Sequence, residues 1–249
     1  MLLSPLELSC AAAAVFCAGL VRGATGFGFS MICIVLLTLL LPPARIAPVI
    51  VLWEIAASAG HLPFVYKEAD WKALRHLGLG VVLGTPPGAY CLASLPAAPM
   101  TIGINAVVLV LTAMLFFGFK LRQRPGRWGT CGVGALTGLI NGASANGGPP
   151  VILFFLSGPS SAAVSRASLI AFFLFTDVLA ALVYWGYGLM TVQVFLLAAV
   201  LLPCVALGIW LGARWFRHVD EARFRRVVLA LLLLMALAGL APAVLKLAG

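Results

Sequence analysis

Two short stretches of this chain concentrate residues able to hold an anion. The first reads GLVRGATGFGFS over 19–30 and the second GLINGASANGGP over 138–149. Thr25, Ser30, Asn141, Ser144 and Asn146 can each donate a hydrogen bond from a hydroxyl or an amide. Gly23, Gly26, Gly28, Gly142, Gly147 and Gly148 permit sharp turns and close approach of a ligand to the backbone. If the turns interrupt helices, each second arm begins with unpaired N–H groups. Those groups and the helix dipole form a positive field. Pro149 and Pro150 can start such an arm without wasting a donor, and Arg22, three residues before Thr25, adds a formal charge. The chemistry this points to is coordination of an oxyanion. The competing reading is close helix packing through small residues.

Three charged residues fall inside apolar surroundings: Arg22, Glu54 and Asp177. Charge in hydrocarbon is costly and is usually kept for function. Glu54 and Asp177 suit proton coupling or ion pairing with Arg22; a structural salt bridge or snorkelling to the interface is the plainer account. Cys10, Cys17, Cys33, Cys91, Cys131 and Cys204 lie in apolar runs without ligand spacing, so they read as small buried hydrophobes rather than a disulfide framework or metal site. No cofactor is implied. The embedded polar residues make no nucleophile–base pattern, so the chain does not read as an enzyme.

The elements that must position these residues are membrane helices. Of 249 residues, 63% are hydrophobic and only 9% are charged, against about 25% charged in soluble domains. A soluble globule of this composition would expose large apolar patches, and disorder needs low hydrophobicity. Runs such as VVLALLLLMALAGLAPAVL (227–245) are unlike the short alternating segments of outer-membrane barrels. The net charge of +9 sits in short loops, which suits membrane topology rather than nucleic acid. No basic segment precedes residues 8–20, so a cleaved signal peptide is not expected.

Apolar spans are expected near 46–64, 73–94, 100–119, 167–186, 192–213 and 227–247, each with the roughly 20 residues that cross ~30 Å of hydrocarbon. Pro86, Pro87, Gly88 and Pro203 interrupt two of them and read as packing kinks. Trp53, Trp71, Trp128, Trp185, Trp210 and Trp215 suit an interfacial belt. The regions 7–41 and 129–158 are apolar but broken by the two glycine stretches. They are related at an offset of 119: Gly19 with Gly138, Leu20 with Leu139, Gly23 with Gly142, Ala24 with Ala143, Thr25 with Ser144 and Gly28 with Gly147. The chain therefore divides into a first repeat (1–119), a basic cytoplasmic linker (120–128) and a second repeat (129–249).

Cations set the orientation. Lys67, Lys72 and Arg75 follow the second unit of the first repeat, whereas Arg214, Arg217, Arg223, Arg225 and Arg226 follow the third unit of the second. Placing these loops, Arg166 and the linker cations in the cytoplasm leaves Arg45 and Lys246 outside. Each glycine region then enters and leaves on one side as a hairpin, and the halves are inverted. The arm 7–21 would reach only ~22 Å and the arm 149–158 only ~15 Å. One kinked crossing per region, with parallel halves, is the alternative. The expected fold is an all-α polytopic membrane protein of two homologous, inverted halves, each with a Gly-rich broken-helix hairpin and three transmembrane helices. Paired discontinuous segments mark the central site of many transporters.

The stretches RGATGFGFS (22–30) and NGASANGGPPVIL (141–153) resemble the TauE/SafE sulfite-exporter family, also called the TSUP permeases. The two-half layout extends the resemblance over nearly the whole chain. Many family members carry a glycine run followed by Val-Pro. Here Phe27 and Phe29 interleave the first stretch, and no proline follows Ser30 until Pro42. The resemblance implies a multi-pass inner-membrane secondary transporter of sulfite, an organosulfonate or a related organic anion, working in export. On this reading an anion sits between the hairpin tips, and one half rocks against the other. Expected partners are the small anion and the lipid bilayer, with no nucleic acid; a homo-oligomer is allowed. An anion channel on the same scaffold and a non-transporting membrane partner stay open as alternatives.

Overall fold

The computed structural model describes residues 4–25, 28–60, 62–119, 125–156 and 161–215, with positions 230 and 233. The span expected over 227–247 lies outside the described residues apart from those two positions, as does Gly26. Everything regular in the described residues is helical: α1 (Pro5–Thr25), α2 (Phe29–Leu37), α3 (Pro43–Ala59), α4 (Leu62–Val65) with a 3-10 turn over Tyr66–Glu68, α5 (Trp71–Ser94), α6 (Ala97–Phe116), α7 (Arg127–Ser144), α8 (Gly148–Leu156), α9 (Ala162–Gly186) and α10 (Val192–Trp215). Among the described residues, five helices are long and apolar enough to cross a membrane: α1, α5, α6, α9 and α10. They expose long apolar side chains such as Leu79, Leu83, Leu182, Val200 and Leu207, as helices facing lipid tails should.

Several helix boundaries recur at an offset of 119. α2 begins at Phe29 and ends at Leu37, and α8 begins at Gly148 and ends at Leu156, each 119 positions later. α1 and α7 end 119 apart, at Thr25 and Ser144, and α3 and α9 begin 119 apart, at Pro43 and Ala162. Some expectations shift. The first arm extends over 21 residues, or about 31 Å of helix, longer than the 7–21 segment that the apolar run suggested. α2 and α8 have nine residues each, or about 13 Å. The prolines do not interrupt their helices: α5 continues through Pro86 and Pro87, and α10 through Pro203. Trp53 is buried rather than interfacial. Among the cysteines only Cys33 is buried, while Cys10 and Cys17 lie on an open face of α1, where a small apolar side chain can meet lipid as readily as protein.

The chain forms two compact units, each drawing helices from both sequence halves. One comprises Met1–Ile50, Leu95–Phe116 and Thr191–Gly249; the other comprises Val51–Ser94 and Phe117–Met190. In the first, α1 packs along α10 and against α2, and α2 meets α6. Gly19 and Gly23 of α1 face Gly208 and Gly212 of α10. A Cβ on Gly23 would enter the Ile209 carbonyl, and one on Gly212 the Leu20 carbonyl. In the second unit α5 packs along α7 in the same manner. Gly80, Gly84 and Gly88 meet the carbonyls of Cys131, Ala135 and Leu139, and Gly134 meets that of Leu77. This is small-xxx-small packing, which brings helix backbones together where lipid gives no hydrophobic drive.

The rest of the second unit closes over this crossing. Leu74, Leu77 and Val81 of α5, Val151, Phe154 and Phe155 of α8, and Ala171 and Phe172 of α9 form one buried apolar cluster. Asp70 fixes the start of α5, where its Oδ1 accepts from the Ala73 N–H at 3.1 Å.

Candidate functional site

The second glycine stretch is built around Asn141. Helix α7 ends at Ser144, and Ala145 turns left-handed with φ 54° and ψ 29°, a conformation in which a non-glycine residue is uncommon. The Ala145 N–H donates to the Asn141 carbonyl at 2.7 Å, so the turn satisfies one end carbonyl of α7. The Tyr184 hydroxyl, from α9, lies 3.1 Å from the Asn141 carbonyl and 2.9 Å from that of Gly142. This phenol is fully buried, and it braces the end of α7 from the side.

The Asn141 side chain works in two directions. Its Nδ2 donates to Asp177 Oδ1 at 3.1 Å, and its Oδ1 accepts the Gly147 N–H at 3.1 Å. A carboxylate on α9 is thereby linked to the backbone one residue before α8. Gly147 must be glycine for lack of room: a Cβ would lie 2.9 Å from Asn141 Cβ and 3.0 Å from both Cγ2 and the carbonyl of Thr137. Gly142 belongs to the helix crossing, with Thr85 and Ala89 against it, whereas Gly148 has ordinary space. Ser144 Oγ donates to the Ile140 carbonyl at 2.8 Å. The Asn141 side chain thus holds the break together, while the Ser144 hydroxyl bonds only within α7.

Asn146 is different. It is completely buried, at 0% exposure, and both its Oδ1 and its Nδ2 find no hydrogen-bond partner among the described residues. It lies two residues before α8, where the helix dipole favours an anion. Thr137 and Thr85 are equally buried, and their hydroxyls are also without a partner. Sequence reasoning singled out neither threonine, nor Tyr184, because each sits inside an apolar run. The available signal was position: Thr137 is one turn before Asn141, and Thr85 lies between the glycines of α5.

The first glycine stretch has other contents. Arg22 lies in the last turn of α1, half-buried, with its guanidinium 5.8 Å from the centre of the Phe29 ring. Gly28 precedes α2 with φ 85°, so the left-handed backbone, not lack of space, calls for glycine there. Ser30 is half-buried in the first turn of α2, and Thr25 ends α1. The structure thus brings together Asn141, Gly147 and Asp177 beside Asn146 in one unit, which also holds Glu54, buried on α3. Arg22, Gly23, Thr25, Gly28 and Ser30 belong to the other unit.

A break that joins two helices, buries a partnerless amide and links a carboxylate to the backbone is suited to holding a small polar solute within a membrane. Comparison with known proteins points the same way. The family model described as "Sulfite exporter TauE/SafE" matches residues 11–239. The chain is 28% identical over 230 residues to the "Probable sulfite/organosulfonate exporter TauE" of Cupriavidus necator, which covers 88% of each sequence. No solved structure matches. With the family match spanning nearly the whole chain, the protein belongs to the TauE/SafE sulfite exporter family of membrane transport proteins.

Proposed function

We propose that this protein is a secondary transporter that exports sulfite, an organosulfonate or a related small anion across the inner membrane. The second glycine break is its central anion site. Asn146 binds the anion directly; Gly147, Gly148 and the start of α8 supply backbone contact and a favourable field; Asn141, Gly142 and Ser144 hold the break in shape. Arg22, Gly23, Thr25, Gly26, Gly28 and Ser30 form the corresponding break of the first repeat, where Arg22 raises affinity for anions. Glu54 and Asp177 are the groups for proton coupling or ion pairing.

The observation that carries this reading is the fully buried Asn146 amide, neither end of which has a partner among the described residues. Such a group costs about 1–3 kcal/mol, which a transport protein recovers when the solute binds. The shortness of α2 and α8 supports the hairpin reading, since about 13 Å of helix cannot cross ~30 Å of hydrocarbon. The shared helix boundaries and the basic loops support two inverted halves with those loops cytoplasmic.

The test is anion flux in proteoliposomes. Arg22→Gln and Asn146→Leu are each expected to lower sulfite flux at least tenfold while the protein still folds and reconstitutes. Wild-type flux in both variants removes these residues from the site.

A further inference from the structure

Asn146 leaves both a donor and an acceptor open, and that restricts the kind of anion it can serve. The amide is completely buried, with Nδ2 and Oδ1 both without a partner among the described residues. Turning it over exchanges the two ends and changes nothing. Thr137 and Thr85, buried with unpartnered hydroxyls, belong to the same unit. Thr137 crowds Gly147, and the Thr85 backbone lies against Gly138 and Gly142, so both threonines flank the helix segment that ends at the break. Each hydroxyl can donate or accept. The backbone contribution is reduced, because Pro149 and Pro150 remove two N–H groups from the first turn of α8. Side chains therefore decide what fits. The other partnerless buried groups, Asn105 and Thr112, lie on α6 in the other unit.

A fully deprotonated oxyanion, such as a sulfonate or sulfate, offers acceptors only. It satisfies Asn146 Nδ2 and the threonine hydroxyls but leaves Oδ1 buried against its own lone pairs. An oxyanion that retains one O–H satisfies both ends of the amide. We infer that the second break selects a monoanionic oxyanion carrying its own O–H, of which hydrogensulfite (HOSO2−) is the relevant case, over an equally charged anion of the same shape without one. The ligand O–H donates to Asn146 Oδ1; its remaining oxygens accept from Nδ2, Thr137 Oγ1 and Thr85 Oγ1. This rests on the proposed anion site and deepens it. Leaving a buried acceptor unpaired costs about 1–3 kcal/mol, which corresponds to roughly five- to 150-fold in affinity.

The test uses two monoanions of nearly the same shape at mildly acidic pH: methylphosphonate, which keeps one O–H, and methanesulfonate, which has none. Binding to the purified full-length protein in detergent is measured by titration calorimetry. Wild type is expected to bind methylphosphonate at least tenfold more tightly. Asn146→Leu should bring that ratio close to one without lowering the melting temperature, because replacing an unsatisfied buried amide with an apolar group of similar size is not destabilising. Thr137→Val should weaken both ligands. Equal wild-type affinities, both weakened in Asn146→Leu, overturn the O–H selection and leave the anion site standing. Affinities unchanged in both variants overturn the site and the selection together. Failure of wild type to bind either probe also overturns the selection.

Discussion

The two glycine breaks share helix boundaries and differ in chemistry. Each joins a long helix to a nine-residue helix at the same step, 119 positions apart. Each long helix crosses a partner through glycines, α1 with α10 and α7 with α5. The side chains then diverge. Asn141, which ties the second break to Asp177, corresponds to Arg22, whose guanidinium lies over Phe29. Asn146 corresponds to Phe27, Tyr184 to Val65 and Thr137 to Ala18. The nine-residue helices and the glycine crossings recur in both, whereas the backbone at the break differs: Gly28 is left-handed and its counterpart Gly147 is not. Among the described residues, fully buried polar groups at the breaks lie in the second. Related segments can thus keep their helix crossings while their side chains differ, because backbone packing constrains side-chain size and leaves side-chain polarity free to change.

The largest expected effect falls on the shared part. Gly84→Leu in α5 and Gly212→Leu in α10 should both abolish a monodisperse folded protein, since each Cβ would enter a facing carbonyl. Size-exclusion chromatography of the two variants checks this. If one crossing tolerates leucine, the copies are not equivalent in packing.

The next effect should appear in one copy only. Asn141→Leu leaves Asp177 and the Gly147 N–H without this partner and should cost about 2–3 kcal/mol, given the charged acceptor, read as a lowered melting temperature. Tyr184→Phe removes the hydroxyl from two carbonyls at the end of α7 and should cost about 1–2 kcal/mol. The smallest effect belongs to Ser144→Ala. Its hydroxyl only back-bonds to the Ile140 carbonyl within the same helix, and a change within about 0.5 kcal/mol is expected. A larger loss would move Ser144 from the frame of the break into its function.

Much of this was legible beforehand. Matching glycines at offset 119 anticipated interruptions between α1 and α2 and between α7 and α8, because glycine punctuates helices locally, whereas the first arm runs past residue 21 and α3 and α9 start a few residues before the expected 46 and 167. The membrane class followed from hydrophobic run length. Gly23 and Gly142, read as ligand-binding glycines, sit at helix crossings, the packing role that small residues at four-residue spacing also signal. Thr85 and Thr137 gave only a signal of position and Tyr184 none, since a single polar residue in an apolar run does not reveal whether its hydroxyl will find a partner.

The amino-acid sequence by itself determined the membrane environment, the duplication and the positions of the breaks, since these depend on composition and on residues near one another along the chain. Tertiary structure alone decided that α1 pairs with α10 and α5 with α7, across the sequence halves, and that Asn141 is engaged while Asn146 is left open. Similarity between repeats tells which segments are alike, not which ones touch. The partners of a buried amide are chosen by helices distant in sequence, and only packing brings those helices together.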